Sequence, residues 1–232
     1  MHGIFVTGTS TGVGKTAIAA GVAWALRKQK IDVGVMKPFA TANRVFSKRY
    51  RSQDTALLAR ASGANDHDYD LNPFFYSIAA SPLSATELNY GPPVNINNAL
   101  EKLKQLARNH QFMIVEGIGG IMVPLTENEF VADFAKRANL SVIIVSTPML
   151  GTLNHTLLTI MACKKFRLRV AGIVLNKASK KPDVVEQKTA PILERLTGIK
   201  VLAQIPFSKG ANCASIGKLL EKKLDFQMLL AR

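Results

Sequence analysis

The segment GIFVTGTSTGVGKTAIAAGVAWAL, from Gly3 to Leu26, leaves the chain little freedom in how it folds. An apolar strand pattern feeds a loop of small residues, and at Gly14-Lys15-Thr16 the loop opens into an alanine-rich helical pattern. Small residues let successive backbone N–H groups curl around phosphate oxygens. The helix amino terminus adds partial positive charge, a lysine reaches the outer phosphates, and a threonine offers its hydroxyl to magnesium. The strict pattern G-x-x-x-x-G-K-[ST] is not met, because its first glycine falls on Thr9 while Gly8 sits one residue early. An ordinary strand–turn–helix accounts for the glycines but not for the Lys-Thr pair directly behind the last of them. Thr11, Gly12, Val13, Gly14, Lys15 and Thr16 therefore read as a phosphate cradle for a nucleotide.

Five more short apolar runs follow that strand. The strands are expected at Gly3–Thr7, Val33–Lys37, Phe112–Glu116, Ser141–Ser146, Val170–Asn176 and Val201–Ile205. They are nearly continuous in hydrophobicity, as strands buried on both faces are. Helical patterns lie between and after them, at Thr16–Gln29, Asp54–Ser62, Ile96–Asn109, Glu129–Ala138, Leu153–Phe166, Asp183–Leu196 and Ser215–Leu230. This alternation predicts an α/β fold with a mostly parallel central sheet and helices on both faces, its ligands gathered at the carboxyl ends of the strands. At 232 residues the chain suits one domain, residues 1–232. The least regular stretches, Ala40–Gln53 and Asp66–Pro93, hold NPFFY and SPLSA rather than linker composition, and ordered loops beside a sheet edge often carry function.

Charge and cysteine content narrow the function classes. Thirty Lys and Arg against sixteen Asp and Glu give a formal charge of +14, which suits anionic partners. The basic residues are dispersed over helix ends and faces and lack the interleaved aromatics that stack on bases, so nucleic acid is not expected as a partner. Cys163 and Cys213 are the only cysteines and form no CxxC, which supports neither a disulfide framework nor a zinc site. The apolar stretch in MHGIFVTG is too short for a signal peptide, and no run approaches the ~20 apolar residues of a membrane span. The expected compartment is the cytoplasm, with no membrane partner.

Several residues at predicted strand ends can face the loop. Lys37 closes the second strand in VGVMKPF, over the same sheet edge, and becomes a candidate cation for a transferring phosphoryl group; Thr41 lies just beyond with a hydroxyl to donate. Asp54 opens a helical pattern, where a carboxylate is commonly only a dipole partner. Glu116 follows four apolar residues in FMIVEGIGG, and an unpaired acid after a buried strand is costly enough to need a reason. Two carboxylates, Thr16 and phosphate oxygens make an oxygen site suited to magnesium. Gly151, Thr152, Leu153 and Asn154 stand at a helix start able to bind a carboxylate, and His155 after them reads as structural. Asn176, ending VAGIVLN, has an amide that can pair with an adenine edge.

Taken in order, VTGTSTGVGKT, MKPFAT, SQDTALLA, NPFFY, VEGIGGIMVPL, LGTLNHTLLT and GIVLNK resemble the dethiobiotin synthetase family, from near residue 1 to about residue 177. The resemblance implies a fold of the P-loop NTPase type, with ATP and Mg2+ as cofactors. It implies that 7,8-diaminononanoate and CO2 form a carbamate, that ATP phosphorylates it, and that the second amine closes a ureido ring. Lys15 and Lys37 would then be the catalytic cations. Thr16, Asp54 and Glu116 would hold the metal, Thr11 and Thr41 would line the carbamate site, and Asn176 would contact adenine. Gly151 to Asn154 would receive the substrate carboxylate from the neighbouring subunit of a homodimer. Three positions depart from the family pattern: Ser10 for an aspartate, Ala42 for a glycine, and Ile118 for an alanine beside Glu116. SKGANC, after Pro206, departs too. A rival reading is an ATPase switch of the ParA/MinD type on DNA or membrane, but the loop lacks the KGG opening with its early lysine.

Overall fold

The computed structural model describes residues 1–224. Its main sheet has six strands, all parallel, in the order β2-β5-β1-β6-β7-β8. These are β1 (Gly3–Gly8), β2 (Val33–Met36), β5 (Phe112–Gly120), β6 (Ser141–Ser146), β7 (Val170–Ala178) and β8 (Val201–Pro206). Every residue of β1 and of β6 is buried, so both faces of the sheet centre are covered. The helices that cover the sheet include α1 (Lys15–Lys28), α2 (Gln53–Ser62), α5 (Ile96–Asn109), α6 (Val131–Ala138), α7 (Thr152–Lys165), α8 (Val184–Thr197) and α9 (Cys213–Glu221).

Local sequence explains the layers. In α5, Ile96, Ala99, Leu100, Leu103 and Leu106 make one buried stripe at helical spacing, and Asn95 caps the helix by accepting from the N–H of Asn98. Helix α1 lies between α2 and α9. Gly21 and Gly217 let α1 and α9 approach, since a Cβ on Gly21 would stand 2.6 Å from Ile216 and one on Gly217 2.4 Å from Trp24. Phe134 of α6 packs edge-on against Phe39 at 5.3 Å and tilted against Phe5 at 6.1 Å.

The six expected strands are all present, with shifted ends. Strand β2 stops at Met36 rather than Lys37, because the N–H of Lys37 leaves the sheet for the carbonyl of Leu71 at 2.8 Å. Strands β5 and β7 run past Glu116 and Asn176, placing those residues inside strands rather than at their last position. The helix expected from Glu129 begins at Val131, since Glu129 is held in a turn by Thr126. That expected at Ser215–Leu230 begins at Cys213 under an Asn212 cap and ends at Glu221, and residues 225–230 of the expected span lie outside the described residues.

The stretches read as irregular contain small elements. Strand β3 (Phe39–Thr41) pairs in parallel with β4 (Phe74–Tyr76), accompanied by α3 (Asp68–Leu71) and α4 (Pro82–Glu87). Phe39, Phe74 and Tyr76 are buried, so this second sheet is anchored in the core beside the carboxyl end of β2.

Candidate active site at the carboxyl edge of the sheet

The loop between β1 and α1 is a backbone with its acceptors occupied and its donors spare. The carbonyls of Ser10, Thr11, Gly12 and Val13 accept from Lys15 Nζ (3.1 Å), Ser10 Oγ (3.2 Å), Lys177 Nζ (2.8 Å) and Asn176 Nδ2 (2.9 Å). The carbonyl of Gly14 takes the N–H of Ile18. Among the described residues, no backbone N–H from Ser10 to Ala17 has a partner. A helix start leaves its first N–H groups free in any case, and here the preceding turn extends the set into an anion receptor. Gly14 holds the bend at φ 93°, where a Cβ would stand 2.1 Å from Asn176 Nδ2.

Four side chains from separate elements meet beyond the loop. Lys37 Nζ donates to Glu116 Oε1 at 2.6 Å and to the carbonyl of Gly117 at 3.0 Å, and lies 3.1 Å from Asp54 Oδ2. Thr16 Oγ1 donates to the same Glu116 oxygen at 2.8 Å, while Glu116 Oε2 is buried without a partner. Register explains part of this: Glu116 pairs with Val6 across β5 and β1, near the carboxyl end of β1 that feeds the loop. Asp54 stands in the first turn of α2, whose start is capped by Ser52. Lys37 is pinned through both of its backbone polar groups, for its carbonyl also accepts from Asn72 Nδ2 at 2.7 Å.

Burial and charge act against each other here. Burial pulls the Lys37 ammonium down, but Glu116 and Asp54 outweigh it and raise its pKa. Burial likewise pushes Asp54 up, and Lys37 overcomes this to hold it below the usual carboxylate range. In Glu116, 1% exposed, burial prevails over Lys37, with Asp54 adding to the rise. Lys15 is lowered to about 8, first by burial and then by the charge of Lys37, with Glu116 and Asp54 opposing.

A cavity of about 630 Å³ opens over these groups. It is lined by Thr11, Gly12, Gly14, Lys15, Thr16, Lys37, Thr41, Asp54 and Glu116, which brings most of the residues singled out from sequence into one space. Val13 is buried beneath the loop, and Asn176 supports it through the Val13 carbonyl rather than lining the cavity. Gly151, Thr152, Leu153 and Asn154 are not part of the lining within one chain. The start of α7 is nevertheless tied to the loop: Ser146 Oγ lies 3.2 Å from Thr9 Oγ1 and 2.9 Å from Thr152 Oγ1, and accepts from Thr156 Oγ1 at 3.0 Å. Sequence reasoning missed the opposite wall, Ala79, Ala80 and Ser81. Its signal was the Ser81-Pro82 helix start, a cap followed by proline in the first turn.

A turn of unpartnered N–H groups between a central parallel strand and a helix, with lysines, a threonine and two carboxylates around one cavity, defines the fold and site of a P-loop ATP-dependent enzyme. A family model described as an AAA domain matches residues 2–213. The chain is 39% identical over 230 residues to the ATP-dependent dethiobiotin synthetase BioD of Nitrosopumilus maritimus, covering 99% of this chain and 100% of that protein. It is also 39% identical over 230 residues to that of Bacillus licheniformis, covering 99% and 96%. The chain belongs to the ATP-dependent dethiobiotin synthetase family. Among solved structures the MinD cell division protein of Aquifex aeolicus aligns with a TM-score of 0.56 at 17% identity, over 99% of this chain and 94% of that one, a likeness of fold alone. Among the described residues no helix is long and apolar enough to cross a membrane.

Proposed function

We propose that the protein closes the ureido ring of dethiobiotin from 7,8-diaminononanoate, CO2 and ATP, releasing ADP and phosphate. One amine adds to CO2 and loses a proton, giving a carbamate. A carbamate oxygen then takes the γ-phosphoryl group of ATP, which forms a carbamic–phosphoric anhydride and leaves ADP. The second amine attacks the carbonyl carbon, phosphate departs, and a further proton is lost as the ring closes. The single observation that carries this reading is the convergence of Lys37, Asp54, Glu116 and Thr16 at the mouth of the phosphate loop. Such chemistry needs positioning and neutralisation of phosphoryl charge more than a protein nucleophile.

Magnesium fits the residues present. It takes oxygen ligands, one or two carboxylates together with phosphate oxygens and water. Thr16 Oγ1, Asp54 and the unpartnered Glu116 Oε2 supply that donor set. When bound, the ion supplies positive charge to the phosphate oxygens. Asp54 and Glu116 would hold the ion, and the Lys37 ammonium between them is placed to serve the carbamate and the transferring group. Lys15 reaches the outer phosphates, Thr11 and Thr41 hydrogen-bond the carbamate, and Asn176, its Nδ2 held by the Val13 carbonyl, has its Oδ1 left for the adenine edge.

The whole chain, residues 1–232, acts in this reading as one cyclo-ligase domain, at work in the cytoplasm and paired as a homodimer. Exposed Met149, Leu150, Leu158 and Met161 on α7 and the turn before it supply an apolar face for the second subunit. The start of α7, Gly151 to Asn154, then serves the neighbour's diamine carboxylate, in keeping with its place outside its own chain's cavity. Incubation with ATP, magnesium, labelled bicarbonate and the diamine tests the proposal. Labelled dethiobiotin is the expected product, and ATP hydrolysis indifferent to the diamine would refute it.

A further inference from the structure

We infer that Lys177 is a positioning residue for the phosphate loop, setting nucleotide affinity without touching the reacting atoms. This rests on the loop's being the ATP site. Lys177 has a positive φ of 60°, a conformation that a side chain with a Cβ adopts at a cost and that needs a reason. The reason lies in the strand. Asn176 pairs with Ile205 and Ala178 with Pro206, so Lys177 is the extra residue of a bulge in β7. Bulges re-aim side chains beside functional sites. This one carries an exposed lysine back across the sheet edge to the Gly12 carbonyl at 2.8 Å, while its neighbour Asn176 takes the Val13 carbonyl at 2.9 Å.

Gly12 and Gly14 both have positive φ, so the loop has soft torsions where an anion must be met by fixed donors. Two successive carbonyls held from outside turn the intervening N–H groups inward. Lys15 bonds the Ser10 carbonyl from within the loop's own segment and keeps its other ammonium donors for a phosphate. Among the described residues, Lys177 and Asn176 are the side-chain ties that reach the loop's carbonyls from a distant element, and only Lys177 adds charge.

The test compares Lys177→Met, Lys177→Arg and Lys177→Gly with the parent, measuring ATP affinity by calorimetry, turnover at saturating ATP, and thermal midpoint. The methionine variant should bind ATP about tenfold more weakly with its turnover constant within about twofold, as expected for lost ground-state binding. The arginine variant should restore most of the affinity. The glycine variant should be as weak as methionine yet no less heat-stable, because glycine tolerates the left-handed backbone. The loss should persist at about 0.5 M salt, which screens a merely long-range attraction. Parent-like affinity in the methionine or glycine variant, an arginine variant as weak as methionine, or a loss abolished by salt would each overturn the inference. The parent's own ATP affinity tests the reading it rests on.

Discussion

Lys37 donates to Glu116 over 2.6 Å in a site where neither side chain is more than 4% exposed. A buried pair of this kind is costly to break from one side, about 3–5 kcal/mol, because the remaining charge is stranded. Lys37→Ala should therefore lower the thermal midpoint, and Lys37→Ala with Glu116→Gln should recover much of it. Turnover should fall at least about a hundredfold in both, and ATP affinity of the single variant should stay within about threefold, as expected for a cation that serves developing charge. Near-parent turnover in either variant removes Lys37 from the chemistry.

Glu116→Gln alone isolates the metal role. The amide keeps the shape and leaves Lys37 its partner Asp54 at 3.1 Å. It removes half of the carboxylate charge offered to magnesium, so the magnesium concentration for half-maximal activity should rise about tenfold. Titration of activity against magnesium decides it, and a curve superimposable on the parent's would exclude Glu116 as a ligand.

The convergence of Thr16, Lys37 and Glu116 was legible in sequence for a topological reason, whereas Asp54, in the first turn of a helix, was given its metal role only by the family resemblance. In a parallel sheet all strand carboxyl ends line one edge, so residues ending adjacent strands beside the loop come together there. Continuous runs such as FMIVE and SVIIVS also announced buried strands without needing alternation. Strands of three residues give no such pattern, and FAT and FFY passed as loop, hiding the wall at Ala79 to Ser81. Lys177 was equally silent, since a one-residue bulge changes which way a side chain points but not the hydropathy of the run.

Gly14 makes a sharper test of loop geometry than Lys15 does. Alanine at φ 93° carries backbone strain of about 1–2 kcal/mol and drives its methyl into Asn176. Gly14→Ala should abolish measurable ATP binding. Adding Asn176→Ala removes the collision but not the strain, so measured against Asn176→Ala alone, which loses the tie to the Val13 carbonyl, it should restore binding only in part. Full restoration would show that the contact, not the left-handed turn, makes glycine necessary.

The pH dependence of nucleotide binding follows from Lys15. Its folded pKa of about 8 lies below the ordinary 10.5, so the folded chain binds fewer protons between these values and its stability contribution rises with pH across that window. ATP binding runs the other way, because it needs the charged form. Affinity should fall by up to about tenfold between pH 7 and pH 9, following the protonated fraction. Lys15→Ala should bind weakly with a flat profile, and a flat profile in the parent would contradict the assignment.

The pairing of subunits can be tested where the chain exposes apolar surface without supporting the cavity. Leu158 and Met161 are 55% and 65% exposed, one helical turn apart on α7, and neither lines the cavity of its own chain. Placing glutamate at both sites should cost a monomer little, because surface substitutions usually change stability by less than about 0.5 kcal/mol. At a dimer interface the same pair of charges would be desolvated without partners, and the assembly should dissociate. Light scattering after size exclusion should show parent dimers and variant monomers. If the start of α7 serves the neighbour's substrate, the monomer should still bind ATP but show a KM for the diamine raised about tenfold or more. A variant that is monomeric with unchanged diamine KM would separate the two claims, keeping the interface and discarding the shared site.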